Sequence, residues 1–62
     1  MYPNIEAERA RAGFTKETLA KKLGVDRKTL RKWINGGNIP ASKLSLMADI
    51  FHCSAEYLLE TR

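Results

Sequence analysis

Between Leu23 and Arg27 the chain reads Leu-Gly-Val-Asp-Arg, and no other stretch limits the fold as much. Upstream, Leu19, Ala20 and Leu23 recur at i, i+1 and i+4, the spacing of one apolar helix face, and Thr15 stands where it can cap that helix. Gly24 supplies the backbone conformation a helix stop needs. Two residues later Asp26 is placed to cap a further helix, its carboxylate accepting a backbone N–H and favoured by the positive helix end. Ala20 is small where two helices joined this tightly have to cross.

The rest of the chain extends this pattern. Apolar residues fall at helical spacing between the marks Gly13, Gly24 and Gly36-Gly37-Asn38, and no stretch alternates with period two. The expectation is an all-α fold, a compact bundle of four or five short helices without a sheet. The first helix is expected from Pro3 or Asn4 to Ala12, with Ile5, Arg9 and Ala12 on one stripe and Gly13 as its stop. The third is expected from Arg27 to Asn35. Pro40 opens the fourth, whose buried stripe is Leu44, Met47, Ala48 and Phe51. Ser54 caps a last short helix carrying Tyr57, Leu58 and Leu59. With no repeat, low-complexity stretch or linker, residues 1–62 are expected to form a single domain. Two helices joined by a short glycine-containing turn are the sequence form of a helix-turn-helix.

A chain of 62 residues buries only about 60% of the surface its unfolded form exposes. A nucleophile, a base and an oxyanion site in a water-excluding pocket need more wall than that, and no residue constellation suggests one, so no enzyme is expected. Cys53 is the only cysteine, which leaves no internal disulfide and points to a reducing cytoplasm. Purely apolar runs reach only two or three residues, too short to span a membrane, and Met1-Tyr2-Pro3-Asn4 shows no signal-peptide pattern. The net charge is +4, but it is unevenly spread: Lys16, Lys21, Lys22, Arg27, Lys28, Arg31 and Lys32 face only Glu17 and Asp26 in their segment. A basic segment on an otherwise balanced chain is the electrostatic footprint of a protein that meets a polyanion through one face.

A helical wheel at about 100° per residue shows which way the third helix faces. With Arg27 at zero, Arg31, Asn35, Lys28 and Lys32 fall within an arc of about 140°, whereas Thr29, Trp33 and Leu30 fall between about 200° and 300°. Only the second face can be core. The first carries the side chains that a major groove rewards, Arg or Lys for guanine and Asn for adenine. Four cations in so short a span repel one another, and phosphates compensate that repulsion.

The segment from Thr15 to Gly36, TKETLAKKLGVDRKTLRKWING, resembles the phage-repressor family of helix-turn-helix domains, the lambda-repressor and Cro-like or XRE type. It matches the family's small residue (Ala20), its turn glycine (Gly24) and its apolar set (Leu19, Leu23, Val25, Leu30, Trp33). Ile5 to Phe14 is similar to the family's first helix, and Leu44 to Leu59 to its fourth and fifth. The resemblance implies a domain that places its third helix in the major groove of double-stranded DNA and binds as a homodimer on a near-palindromic site. It implies a phosphate contact for Lys16, where the family usually has Gln. Arg27, Lys28 and Lys32 take the positions that reach base edges, with Arg31 between them. Asn35 and Asn38 match the loop that touches the DNA backbone. Two positions depart from the pattern. Ile34 stands where the family often has the Glu that pairs with the Arg matched by Arg9, so Arg9 either finds another partner or extends to water. His52 stands where the family commonly has Gly, at a turn that histidine can still adopt.

The remaining residues point to no second chemistry. His52 and Cys53 lack the companions of a zinc site and are read as a helix-end histidine and a half-buried thiol. Trp33, opposite the cations, is read as core rather than as a stacking platform for bases. Leu46, Ile50 and Ile39 are either ordinary exposed apolar residues or part of a self-association surface. The function expected is a cytoplasmic, cofactor-free transcriptional regulator that binds double-stranded DNA by sequence, with no small-molecule ligand. The alternatives are an antitoxin or adaptor using the same fold for a protein partner, and an accessory domain that positions a nuclease or integrase.

Overall fold

Three of the four joints in this chain are made by one three-residue recipe, and the fold follows from it. The computed structural model describes residues 1–61 as five helices: α1 (Pro3–Arg11), α2 (Lys16–Leu23), α3 (Arg27–Ile34), α4 (Ala41–Phe51) and α5 (Ala55–Leu58). Helices α2 and α4 each close on a C-cap with positive φ, Gly24 and His52, and α1 is followed by one, Gly13, just past its C-cap Ala12. The next residue is apolar and half-buried, Phe14, Val25 or Cys53, and its N–H reaches back to Arg9, Ala20 or Ala48 O at 3.0 to 3.1 Å. Then comes the cap of the following helix. Thr15 accepts from Thr18 N, Asp26 from Thr29 N and Ser54 from Tyr57 N. The left-handed residue closes the backbone of one helix, the apolar residue anchors the joint on the core, and the cap satisfies the first orphan donors of the next.

The exception is the connection from α3 to α4. Helix α3 ends at Ile34, one residue short of the expected Asn35, which is its C-cap, and Gly36 (φ 107°) and Gly37 turn the chain back, with Gly37 N bonded to Lys32 O at 2.9 Å. A Cβ on Gly37 would lie 2.8 Å from that same carbonyl oxygen, so only glycine fits there. Pro40 precedes α4 without a side-chain cap, just outside the helix it was expected to open.

The core is formed by Ile5, Leu19, Leu23, Leu30, Met47, Phe51 and Leu58, all fully buried, with Ala20, Trp33 and Ile34 beside them. Phe14 packs edge-to-face on Phe51 at 6.2 Å between ring centroids. Ile39 and Ile50 pack against this core from the side, which leaves Leu46 exposed. In α4, Met47 and Phe51 are buried as expected, while Leu44 and Ala48 are only half so.

Helix α1 departs from its expected stripe. Ile5 is buried, but its companion is Glu8, 8% exposed, while Ala12 lies in solvent. The reason is α5, which packs on α1. Its Tyr57 hydroxyl donates to Glu8 at 3.3 Å, its Tyr57 carbonyl accepts from Asn4 Nδ2 at 2.7 Å, and Arg11 donates to Glu8 from the solvent side. These partners satisfy a carboxylate that would otherwise be costly to bury. The hydrogen bond from Arg11, ahead of the other influences, holds the Glu8 carboxyl below the usual range. No described helix is long and apolar enough to cross a membrane.

Candidate nucleic-acid interface

Helix α3 is held to the body by one face only. Leu30, Trp33 and Ile34 point inward, and Arg27, Lys28, Arg31 and Lys32 are all exposed on the opposite side. None of these four cations makes an ion pair with another described residue. Together with Asn35 they line a shallow open groove along α3. Arg27 and Arg31 also line a second concavity, shared with Thr15, Lys16, Glu17 and Thr18 at the start of α2 and with Arg9 of α1. The two depressions meet along the Arg27–Arg31 ridge, so the structure brings six of the seven expected contact residues onto one continuous basic face. Asn38 stands apart, exposed in the α3–α4 connection and lining neither depression.

The orientation of that face is set by the joint between α2 and α3. Gly24 (φ 72°) closes α2, and Asp26 starts α3 by accepting from Thr29 N at 2.9 Å. Hydrogen bonding from Thr29 holds the Asp26 carboxyl below its ordinary value, so the cap stays charged at neutral pH. Lys43 adds a tie across the bundle, its Nζ donating to Leu23 O at 2.7 Å and so satisfying an orphan carbonyl at the end of α2. The spacing of the sequence carries no sign of this contact, because α4 reaches α2 only in the folded chain.

Arg9 has its own partners. Its Nε and Nη2 fork onto the two carboxylate oxygens of Glu6 at 2.9 and 3.1 Å, and Nη1 donates to the Phe14 carbonyl at 2.6 Å. The i,i+3 spacing of Glu6 and Arg9 was visible in the sequence, whereas the bond to Phe14 depends on how the α1–α2 joint folds. Ile34, where a family Glu would otherwise meet Arg9, is 3% exposed and part of the core. Arg9 is paired within α1, and position 34 holds an apolar core side chain.

Phosphates would find two kinds of donor on this face: mobile ammonium and guanidinium groups on α3, and the capped N-terminal turn of α2 beside Lys16. Among the described residues no three His, Cys, Asp or Glu side chains form a group that could hold a metal ion. Burial pushes the Cys53 thiol pKa up, which makes it a poor nucleophile.

A helix-turn-helix family model, of the lambda-repressor and Cro-like type, matches residues 5–58. No curated protein matches the chain.

Proposed function

The chain belongs to this helix-turn-helix family, whose members are DNA-binding regulators, and on that premise we propose that it is a repressor-like regulator that reads the major groove with α3. One observation carries the reading. A helix is fastened through Leu30, Trp33 and Ile34 while its other face presents an amide and four cations without ion pairs to other described residues. An exposed helix face of this kind suits a groove that admits a helix. Arg27, Lys28 and Lys32 contact base edges, with Arg31 between them, and Lys16 contacts a backbone phosphate at the start of α2. Asn35 and Asn38 belong to the loop side of the same interface. Phosphate contacts supply most of the affinity, and base contacts supply the choice of sequence. The bound form is a homodimer on a near-palindromic site.

Selection from a random duplex pool, followed by sequencing of the bound fraction, tests the proposal. A defined motif is expected, and a pool without one means an adaptor that uses this fold for a protein partner. On the selected site, Lys28→Ala or Lys32→Ala should lose about 1 to 3 kcal/mol and lose much less on random DNA. Lys16→Ala should weaken both by similar factors and lower the slope of log K against log salt by about one. An unchanged ratio of specific to random affinity for the α3 variants removes α3 as the sequence reader.

A further inference from the structure

Arg9 lines the concavity at the start of α2 together with Lys16, Arg27 and Arg31, yet its surroundings differ from theirs. Its guanidinium is already neutralised by the bidentate fork onto Glu6, and both side chains are largely covered, at 20% and 27% exposure. The third guanidinium contact falls on the carbonyl of Phe14, whose own N–H is bonded to Arg9 O at 3.1 Å. One residue thus grips the peptide groups on both sides of another, five positions on. Phe14 immediately precedes Thr15, the cap of α2, and Lys16, its first helical residue.

We propose that Arg9 is a positioning residue for the DNA contact at the start of α2: its Glu6-neutralised guanidinium holds the Phe14 carbonyl, and through it the Thr15–Lys16 backbone, in the orientation that meets a phosphate. The inference rests on the DNA reading above and adds a residue that acts without giving its charge to DNA. A free cation at this position would act as a further phosphate ligand and release a counterion on binding. Arg9 does neither, because its charge is spent inside the protein. Glu6 fits the same arrangement: the Arg9 hydrogen bond, with a smaller contribution from the Lys16 charge, keeps its carboxyl below the usual range and therefore ionised.

The test compares the parent, Lys16→Ala, Arg9→Met and Arg9→Lys on the selected duplex and on random duplex at several salt concentrations. Hydrogen exchange at the Phe14 amide is followed without DNA. Arg9→Met is expected to weaken both duplexes by about three- to tenfold, the scale of re-ordering one contact on binding. Its salt slope should equal the parent's, and Phe14 exchange should quicken while core amides stay protected. Arg9→Lys, which can still donate to the Phe14 carbonyl, should recover part of the affinity. It also stands in for Arg9→Met if that variant does not fold. A slope lower by about one, or affinity equal to the parent's in both Arg9 variants, overturns the proposal. If the parent and Lys16→Ala behave as expected while the Arg9 variants do not, only this inference fails. A parent that binds no duplex overturns both readings.

Discussion

His52 is the residue whose conformation asks most of its side chain. Among the described residues it is the only non-glycine with positive φ, at 56° with ψ 46°. The left-handed region costs an L-residue about 1 to 2 kcal/mol, and the exposed imidazole makes no side-chain hydrogen bond or ion pair with another described residue to offset it. Glycine removes that strain but enlarges the unfolded ensemble, a counter-effect of about 0.4 to 1 kcal/mol. The strain is the larger effect, so His52→Gly should stabilise the fold by up to about 1 kcal/mol and raise the melting temperature by a few degrees. A lower melting temperature would show that the joint draws on the imidazole in some other way. The histidine's identity and its turn were both legible in the sequence, because a helix stop is a local property. Glu8 was not legible, because its burial depends on Tyr57, far along the chain.

At the scale of elements, the caps and stops carry the architecture, and they do so in the same way three times. Thr15, Asp26 and Ser54 each follow a left-handed residue and an apolar one. Each is also followed four residues later by a fully buried leucine: Leu19, Leu30 and Leu58. That spacing is the hydrophobic-staple relation between the residue before a cap and the fourth residue of the helix. Asp26→Ala should therefore cost about 0.5 to 2 kcal/mol, the usual loss of a helix cap, read as a lower urea midpoint with an unchanged m-value. A midpoint equal to the parent's would mean that packing alone starts α3. This repetition explains why the helix boundaries at these three joints could be read within a residue or two from the sequence. The α3–α4 connection has no such recipe, and there Pro40, expected to open α4, stands as its N-cap one residue before the helix begins. Ile34 was within reach of the helical period, since it lies four residues after Leu30 and falls beside it on the core side of the wheel.

At the scale of the molecule, the basic residues gather on the α2–α3 side while the other end, around α1 and α5, holds the paired Glu8, Arg11 and Tyr57. The basic face was legible, since four cations on one arc of a helix need only the helical period to be seen. What was not legible is the support behind it, Arg9 on Phe14 and Lys43 on Leu23, both long side chains reaching carbonyls. Size bears on the proposed dimer. The Cα extents are 24 × 21 × 19 Å, against a separation of roughly 34 to 36 Å between half-site centres one DNA turn apart. Two copies on such a site would meet only at their edges, and among the described residues the exposed large apolar side chains are Met1, Leu46 and Leu59. Association without DNA should then be weak, and sedimentation at micromolar concentration is expected to show a monomer that becomes a two-to-one complex on the full site. Tight binding of one copy to a lone half-site, with a second copy adding nothing, would contradict this arrangement.

The way α3 is fastened also bears on how the protein can be observed. Trp33 is the chain's one indole, 7% exposed and on the face of α3 turned from the cations. Its fluorescence arises from within the core, so unfolding shifts the emission toward the red as water reaches the ring. A duplex docking on the far side of the helix does not touch it. Folding and binding can therefore be followed separately in a single cuvette, with the native tryptophan reporting the first and a dye on the DNA reporting the second.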